Sequence, residues 1–165
     1  MSVMRVGDDP NTVLPLSPEL EMLRSYWALN HAVERTSKRM SARLGVTAEQ
    51  RMVLRVIGRA PGIGPGALAQ LLHLDASTVS ATLRQLTARR LVTRRKHAPD
   101  ARRVELHLAA KGRTLDAVDE QTMEGVIAKL LASSPQAEVD AVRGFLGRLA
   151  DALDGLDATP GVSER

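Results

Sequence analysis

Hydrophobic positions at the start of the chain recur with the spacing of an α-helix. From Glu19 to Leu44 apolar residues fall on one stripe, which predicts a helix of about 26 residues and roughly 39 Å in length. One small core cannot cover that length, so we expect part of the stripe to meet a partner chain. The stripe and its widened start comprise Leu20, Met22, Leu23, Tyr26, Trp27, Leu29, Val33 and Met40.

Three shorter helices are predicted between residues 45 and 90. Gly45 ends the long helix, and Thr47-Ala-Glu-Gln50 fits a capping box that begins the next one. Pro65 suits the first position of a short helix that ends at Leu72. Asp75 is a plausible N-cap for a helix reaching about Arg90. The predicted inward residues are Met52, Val53, Val56 and Ile57, then Leu68, Leu71 and Leu72, and finally Val79, Leu83 and Leu86.

The last two of these helices, joined by a tight link at His73-Leu74, have the layout of a helix-turn-helix. A β-hairpin follows directly. Residues 91–97 read as a strand, residues 98–102 as a turn, and Val104, Leu106 and Leu108 alternate with polar residues as in a half-buried strand. A basic hairpin in this position predicts a wing.

Two more helices are predicted after the hairpin. Residues 110–132 read as one helix with Leu115, Val118, Ile127, Leu130 and Leu131 inward. Pro135 begins another, in which spacings of three and four alternate as in a coiled-coil seam. The seam could lie on its own domain, but its regularity favours a helix of a second subunit. It consists of Val139, Val142, Leu146, Leu149, Leu153 and Leu156.

These elements predict a mostly α fold with a small β-hairpin wing, namely a winged helix-turn-helix plus a helical dimerisation region. Residues 1–18 are expected to form an irregular arm and residues 157–165 a flexible tail. Residues 19–44 and 111–156 would form the dimerisation region, and residues 45–110 the DNA-binding domain.

Composition excludes several classes of protein. The chain has no cysteine, which excludes disulfides and thiolate zinc sites. It lacks an apolar run of the roughly 18 residues that a membrane span needs, and its N-terminus does not resemble a secretory signal, so we expect a cytoplasmic protein. Nucleophile-elbow, phosphate-loop and HExxH motifs are missing, so the sequence predicts neither an enzyme nor a cofactor. The four histidines show no metal-binding spacing.

The charge distribution points to a polyanionic partner. The chain carries a net charge of +4, yet residues 75–113 alone hold ten Lys or Arg against three acids. A basic middle between mildly acidic flanks is expected of a nucleic-acid-binding segment, although a solvated charged face is the ordinary alternative.

Candidate DNA contacts lie on the second helix of the helix-turn-helix and on the hairpin. Hydroxyl groups off the apolar stripe can reach base edges or phosphates in a major groove, and basic side chains can neutralise phosphates. These polar residues could also be ordinary exposed positions of a helix. The candidates are Ser77, Thr78, Ser80, Arg84, Arg94 and Arg95, with Arg102 and Arg103 in the wing.

Two stretches resemble the MarR family of bacterial winged-helix regulators. The more specific one is DARRVELHLAAKG, from Asp100 to Gly112, which matches the family's Asp-x-Arg and Leu-x-Leu-Thr-x-x-Gly wing pattern except that Ala109 replaces the threonine. The other is LLHLDASTVSATLRQLTARRLV, from Leu71 to Val92. The resemblance extends over about residues 19–156.

The resemblance implies a homodimeric repressor that binds palindromic double-stranded DNA in the bacterial cytoplasm, associated with the nucleoid. Arg102 would insert into the minor groove, and Asp100 would orient the wing by pairing with an arginine. A small aromatic or anionic ligand would release the operator. The alternative of a different class is a winged-helix protein-interaction module whose basic face meets an acidic protein.

Overall fold

The computed structural model describes residues 15–96, 104–117 and 119–157. Within these ranges the chain forms helices and one antiparallel hairpin, in the order expected of a winged helix, so the predicted fold class is confirmed. The elements are α1 (Pro18–Leu44), α2 (Ala48–Arg59), α3 (Pro65–Leu72), α4 (Ala76–Ala88), β1 (Val92–Lys96), β2 (Val104–Leu108), α5 (Ala110–Asp116), α6 (Met123–Ser133) and α7 (Gln136–Asp157).

Local signals in the sequence set the ends of the first helices. Gly45 adopts the left-handed conformation, with φ 71°, and ends α1. The Thr47 capping box is confirmed, because Thr47 Oγ1 accepts from the Gln50 N–H at 3.1 Å and Gln50 Oε1 accepts from the Thr47 N–H at 3.3 Å. Asp75 stands at the N-cap position of α4 with extended backbone, but its side chain makes no capping hydrogen bond.

The hydrophobic core lies between α2, α3, α4 and the hairpin, a unit that we call the head. In the head, two residues predicted to point inward are wrong: Met52 is 54% exposed and Leu71 is 60% exposed. In α6 the same prediction is wrong for Ile127, Leu130 and Leu131, which are exposed in this chain. Met52 turns outward because α2 packs through Val53, Leu54 and Ile57, which centres its buried face one position further along the helix. The fully buried core residues are Val46, Val53, Leu54, Ile57, Leu68, Val79, Leu83, Leu86, Leu91, Val92 and Leu106.

The hairpin is anchored to the head at its base. Its register pairs Val92 with Leu108 and Lys96 with Val104. Leu106 is buried, and it exchanges backbone hydrogen bonds with the loop between α2 and α3: its carbonyl accepts from the Gly62 N–H at 2.8 Å and its N–H donates to the Ile63 carbonyl at 3.1 Å. The loop therefore fixes where the wing leaves the head.

The single helix predicted over residues 110–132 is wrong. The chain breaks after α5 and restarts at α6, with Thr122 at the N-cap accepting from the Gly125 N–H at 3.2 Å. Thr122 Oγ1 also donates to the Asp119 carbonyl at 2.6 Å, which closes the turn. The short α5 packs against α2 and β2, while α6 contacts α1. Val118, predicted to point inward, lies outside the described residues.

Candidate nucleic-acid interface

A tight turn joins α3 to α4. His73 takes up the left-handed conformation, with φ 51°, and the Leu74 N–H donates to the Ala69 carbonyl at 3.0 Å. On α4 the predicted apolar residues Val79, Leu83 and Leu86 are buried, together with Thr82. This packing fixes which side of α4 faces away from the head.

The outward side of α4 carries the candidate contacts predicted from sequence. Ser77 and Arg84 are seven residues apart, which is two helical turns, and both are exposed on the side opposite the buried stripe. Ser80 is exposed on one flank of that side, and Thr78 is half-buried on the other flank, toward α2. The helix therefore presents hydroxyl groups and a guanidinium on one continuous surface, whose role in DNA contact stays a prediction.

The wing residues divide between two faces of the hairpin. Arg94 and Arg95 are both exposed, but successive residues of a strand point to opposite faces. Arg94 pairs with Leu106, on the face turned to the core, and Arg95 pairs with Glu105, on the other face. The two arginines cannot approach one groove from the same face. Asp100, Arg102 and Arg103 lie outside the described residues.

Close packing explains why the wing pattern ends in a glycine, Gly112. A Cβ atom on Gly112 would overlap the carbonyl oxygen of Leu91 and lie 3.0 Å from its carbon. The Leu91 carbonyl also accepts from the Ala109 N–H at 3.0 Å, and Ala109 caps α5 through its backbone alone. Gly112 thus lets the start of α5 lie directly on the residue where the wing begins.

The first turn of α2 holds α4 through polar contacts that sequence reasoning missed. Glu49 Oε1 accepts from Thr82 Oγ1 at 2.8 Å, and Gln50 Nε2 donates to Gln85 Oε1 at 2.6 Å. The capping box marks Gln50 as a helix-start residue, but nothing in the sequence indicates that its amide also reaches across to α4. These contacts orient α4 from the side nearest Thr78.

Arg51 joins the head to the turn between α5 and α6. Its side chain is buried, with 1% of the residue exposed, and it donates to the Glu124 carboxylate and to the carbonyls of Leu115 and Ala117, the last at 2.8 Å. A buried guanidinium needs such partners because charge is strongly disfavoured in a core without them. Nothing in the sequence around Arg51 distinguishes it from an exposed arginine, so its burial was not predicted.

Two further arginines bind the same connection, which we call the α5–α6 joint (residues 115–124). Arg55 Nη1 lies 3.0 Å from Asp116 Oδ1, and Gly58 leaves the space that the Asp116 carboxylate occupies. From α1, Arg43 Nη1 lies 2.8 Å from Asp119 Oδ2. The Arg43 hydrogen bond, with help from the Gln121 N–H, holds the pKa of Asp119 below its usual value. Elements of both the head and the long helix therefore meet at this joint.

Within the described ranges, no group of three or more His, Asp or Glu side chains is placed to hold a metal ion. None of the helices described is both long enough and apolar enough to span a membrane.

Comparison with known proteins gives a family match for part of the chain and a related regulator for most of it. Residues 44–103 match the model of the MarR family. The chain is 29% identical to the HTH-type transcriptional regulator TtmR of Methylorubrum extorquens (strain PA1) over 153 residues, which span 91% of this chain and 74% of that protein.

Solved structures share the fold. FabT of Streptococcus pneumoniae, crystallised in complex with DNA, superposes with a TM-score of 0.61 at 20% identity, over 83% of this chain and 99% of that one. A mutant of E. coli MarR in complex with operator DNA gives a TM-score of 0.63 at 23% identity, over 79% of this chain and 94% of that one. The matched segment, the related regulator and the shared order of elements agree with the wing and α4 motifs: the chain is similar to the MarR family of winged helix-turn-helix transcription regulators.

Proposed function

We propose that this chain is a sequence-specific DNA-binding repressor that reads palindromic operators as a homodimer in the bacterial cytoplasm, and that it is not an enzyme. The observation that carries the proposal is the outward surface of α4, where Ser77 and Arg84 are held opposite a fully packed helix face and Thr78 lies on its flank. The chain is similar to FabT and MarR, both crystallised with DNA, which supports DNA contact as the role of this surface.

Charge supports the choice of DNA. The segment from residue 75 to 113, which includes α4 and the hairpin, carries ten of the chain's 23 basic residues and only three of its 19 acids. Basic side chains next to a groove-reading helix release counterions from phosphates, which supplies most of the affinity that does not depend on sequence. From the family resemblance we further propose that Arg102 enters the minor groove, that Arg103 also contacts DNA, and that Asp100 orients the wing by pairing with an arginine.

Exposed apolar surface supports the homodimer. Residues of α1, α6 and α7 that a single globular chain would bury are open in this one; Leu130 is 64% exposed and Leu156 is 69% exposed. Between α6 and α7, Ile127, Leu131 and Val142 line a groove of about 310 Å³. Apolar surface this extensive is typical of an interface. The family resemblance suggests that a second copy of this chain covers it. A small aromatic or anionic ligand that releases the operator is proposed from the family resemblance alone.

Selection of bound duplexes from random DNA tests the function. We expect the purified chain to select a palindrome whose affinity falls steeply with salt, and the Arg102→Ala variant to bind it at least about tenfold more weakly while remaining dimeric. Arg59→Ala, at the exposed end of α2, is the matched control and should bind normally. A chain that prefers no duplex would instead favour a protein-interaction module with an acidic partner.

A further inference from the structure

The amide of Gln50 is held on both sides, and this fixes its orientation. Its Oε1 accepts from the Thr47 N–H at 3.3 Å. A backbone N–H can only donate, so the oxygen of this amide must face Thr47 and its nitrogen must face the opposite way. On that opposite side Gln50 Nε2 lies 2.6 Å from Gln85 Oε1.

The orientation of the Gln50 amide determines the orientation of the Gln85 amide. Because Gln50 offers only hydrogens, Gln85 must turn its oxygen toward α2, and its NH₂ group is left pointing away from Gln50. Within the part of the chain that the structure describes, this NH₂ group has no hydrogen-bond partner. Gln85 is exposed and follows Thr78 by seven residues, so both lie on the same flank of α4.

We infer that Gln85 is a specificity-determining residue that presents hydrogen-bond donors to an acceptor on DNA, and that Gln50 is the positioning residue that enforces this choice. The inference rests on the proposed function. A glutamine pairs with adenine by using one donor and one acceptor, but here the acceptor is turned toward Gln50. The remaining donors suit an acceptor instead, either the O6 or N7 atom of a guanine or a phosphate oxygen.

The Gln50→Glu variant tests the inference by reversing the orientation of the Gln85 amide. A glutamate at this position still accepts from the Thr47 N–H, so the capping box is kept. Its other oxygen faces Gln85, which must now rotate its amide, donate to α2 and expose its oxygen. If the DNA acceptor is a guanine, we expect the preference at one base pair to shift by about fivefold or more toward a base with a donor, adenine or cytosine.

The control is the Gln85→Met variant, alone and combined with Gln50→Glu. Methionine has nearly the same length but has no donor and only a weakly accepting sulfur, so it should erase the preference and identify the base pair concerned. Gln50→Glu also places a negative charge near DNA, which weakens binding to every sequence. In the Gln85→Met background only that charge effect remains. Comparing the two single variants with the double variant therefore isolates the effect that Gln50 exerts through Gln85. Thermal unfolding of each variant checks that the cap is intact.

Titration of duplexes that differ at single positions separates the outcomes. A change of preferred base in Gln50→Glu that disappears in the double variant supports a base contact. The second outcome is a loss of affinity in Gln50→Glu that is equal for all sequences and larger than the charge effect seen in the Gln85→Met background. It supports a phosphate contact. If the losses of affinity in Gln50→Glu and Gln85→Met simply add and the preferred base does not change, the inference is overturned. The proposed function still stands in that case, provided that the unmodified chain binds the operator. A chain that selects no duplex overturns the proposed function and the inference together.

Discussion

At the scale of single residues, Gly112 shows how the wing pattern depends on steric space. Replacing it with alanine would push a Cβ atom into the carbonyl of Leu91, and relief requires α5 to move away from the base of β1. We expect Gly112→Ala to lower the free energy of unfolding by about 1–3 kcal/mol, the usual range for overpacking. Urea denaturation at a fixed protein concentration measures this change.

Gly66→Ala is the matched control for that substitution. Gly66 also lies in a short helix, but a Cβ atom there would meet nothing within 4 Å. Alanine should leave stability unchanged or raise it by up to about 1 kcal/mol, because it favours the helix. Equal losses in the two variants would show that contact with Leu91 is not the reason for a glycine at position 112.

Prediction from sequence was most successful where a residue type has one strong local preference. The Thr47 capping box and the end of α1 at Gly45 follow from such preferences, and the buried stripe of α4 follows from periodicity. Prediction failed for Arg51, because burial of a charged residue depends on carbonyls and a carboxylate more than 60 residues away in the chain. The outward turn of Leu71 has the same kind of cause, since only the packing of α3 decides it.

At the scale of elements, the α5–α6 joint determines how the head is attached to the rest of the molecule. The break between the two helices was not predicted, because the apolar positions on either side continue the helical stripe. Thr122 and its cap hydrogen bonds stop the helix, and Arg43, Arg51 and Arg55 bind the resulting turn from α1 and α2. The joint is thus stabilised mainly by polar contacts, which periodicity does not report.

Arg51→Met tests the contribution of the joint. Methionine fills most of the arginine volume but leaves the carbonyls of Leu115 and Ala117 and the Glu124 carboxylate without their donor. We expect a loss of about 1–3 kcal/mol in unfolding free energy, the usual cost of leaving buried acceptors without their donor, because the Glu124 side chain is partly exposed and can be solvated. Arg59→Met, on the exposed end of the same helix, should cost less than about 1 kcal/mol. Similar losses in both variants, measured by urea denaturation, would contradict a special role for Arg51.

At the scale of the whole molecule, the apolar residues divide into two sets. The core of the head is complete within one chain, whereas the apolar residues of α1, α6 and α7 remain largely open. Periodicity predicts both sets as apolar stripes but does not by itself show which stripe is buried within its own chain. Two sequence features set the second group apart: the length of α1, 27 residues, and the regular spacing of the apolar residues from Val139 to Leu156.

The division leads to a prediction about assembly. In a twofold interface each substitution is introduced twice, so Leu130→Asp combined with Leu153→Asp places four carboxylates in apolar contacts. We expect light scattering to give the mass of one subunit, with the head still folded by circular dichroism. Affinity for a palindrome should fall by about 100-fold or more, because the second head no longer binds at a high effective concentration, while affinity for a half-site stays the same. Leu71→Asp, equally exposed but on the head, should leave the mass of the dimer unchanged. An unchanged mass in the double variant would mean that α6 and α7 face solvent or another partner.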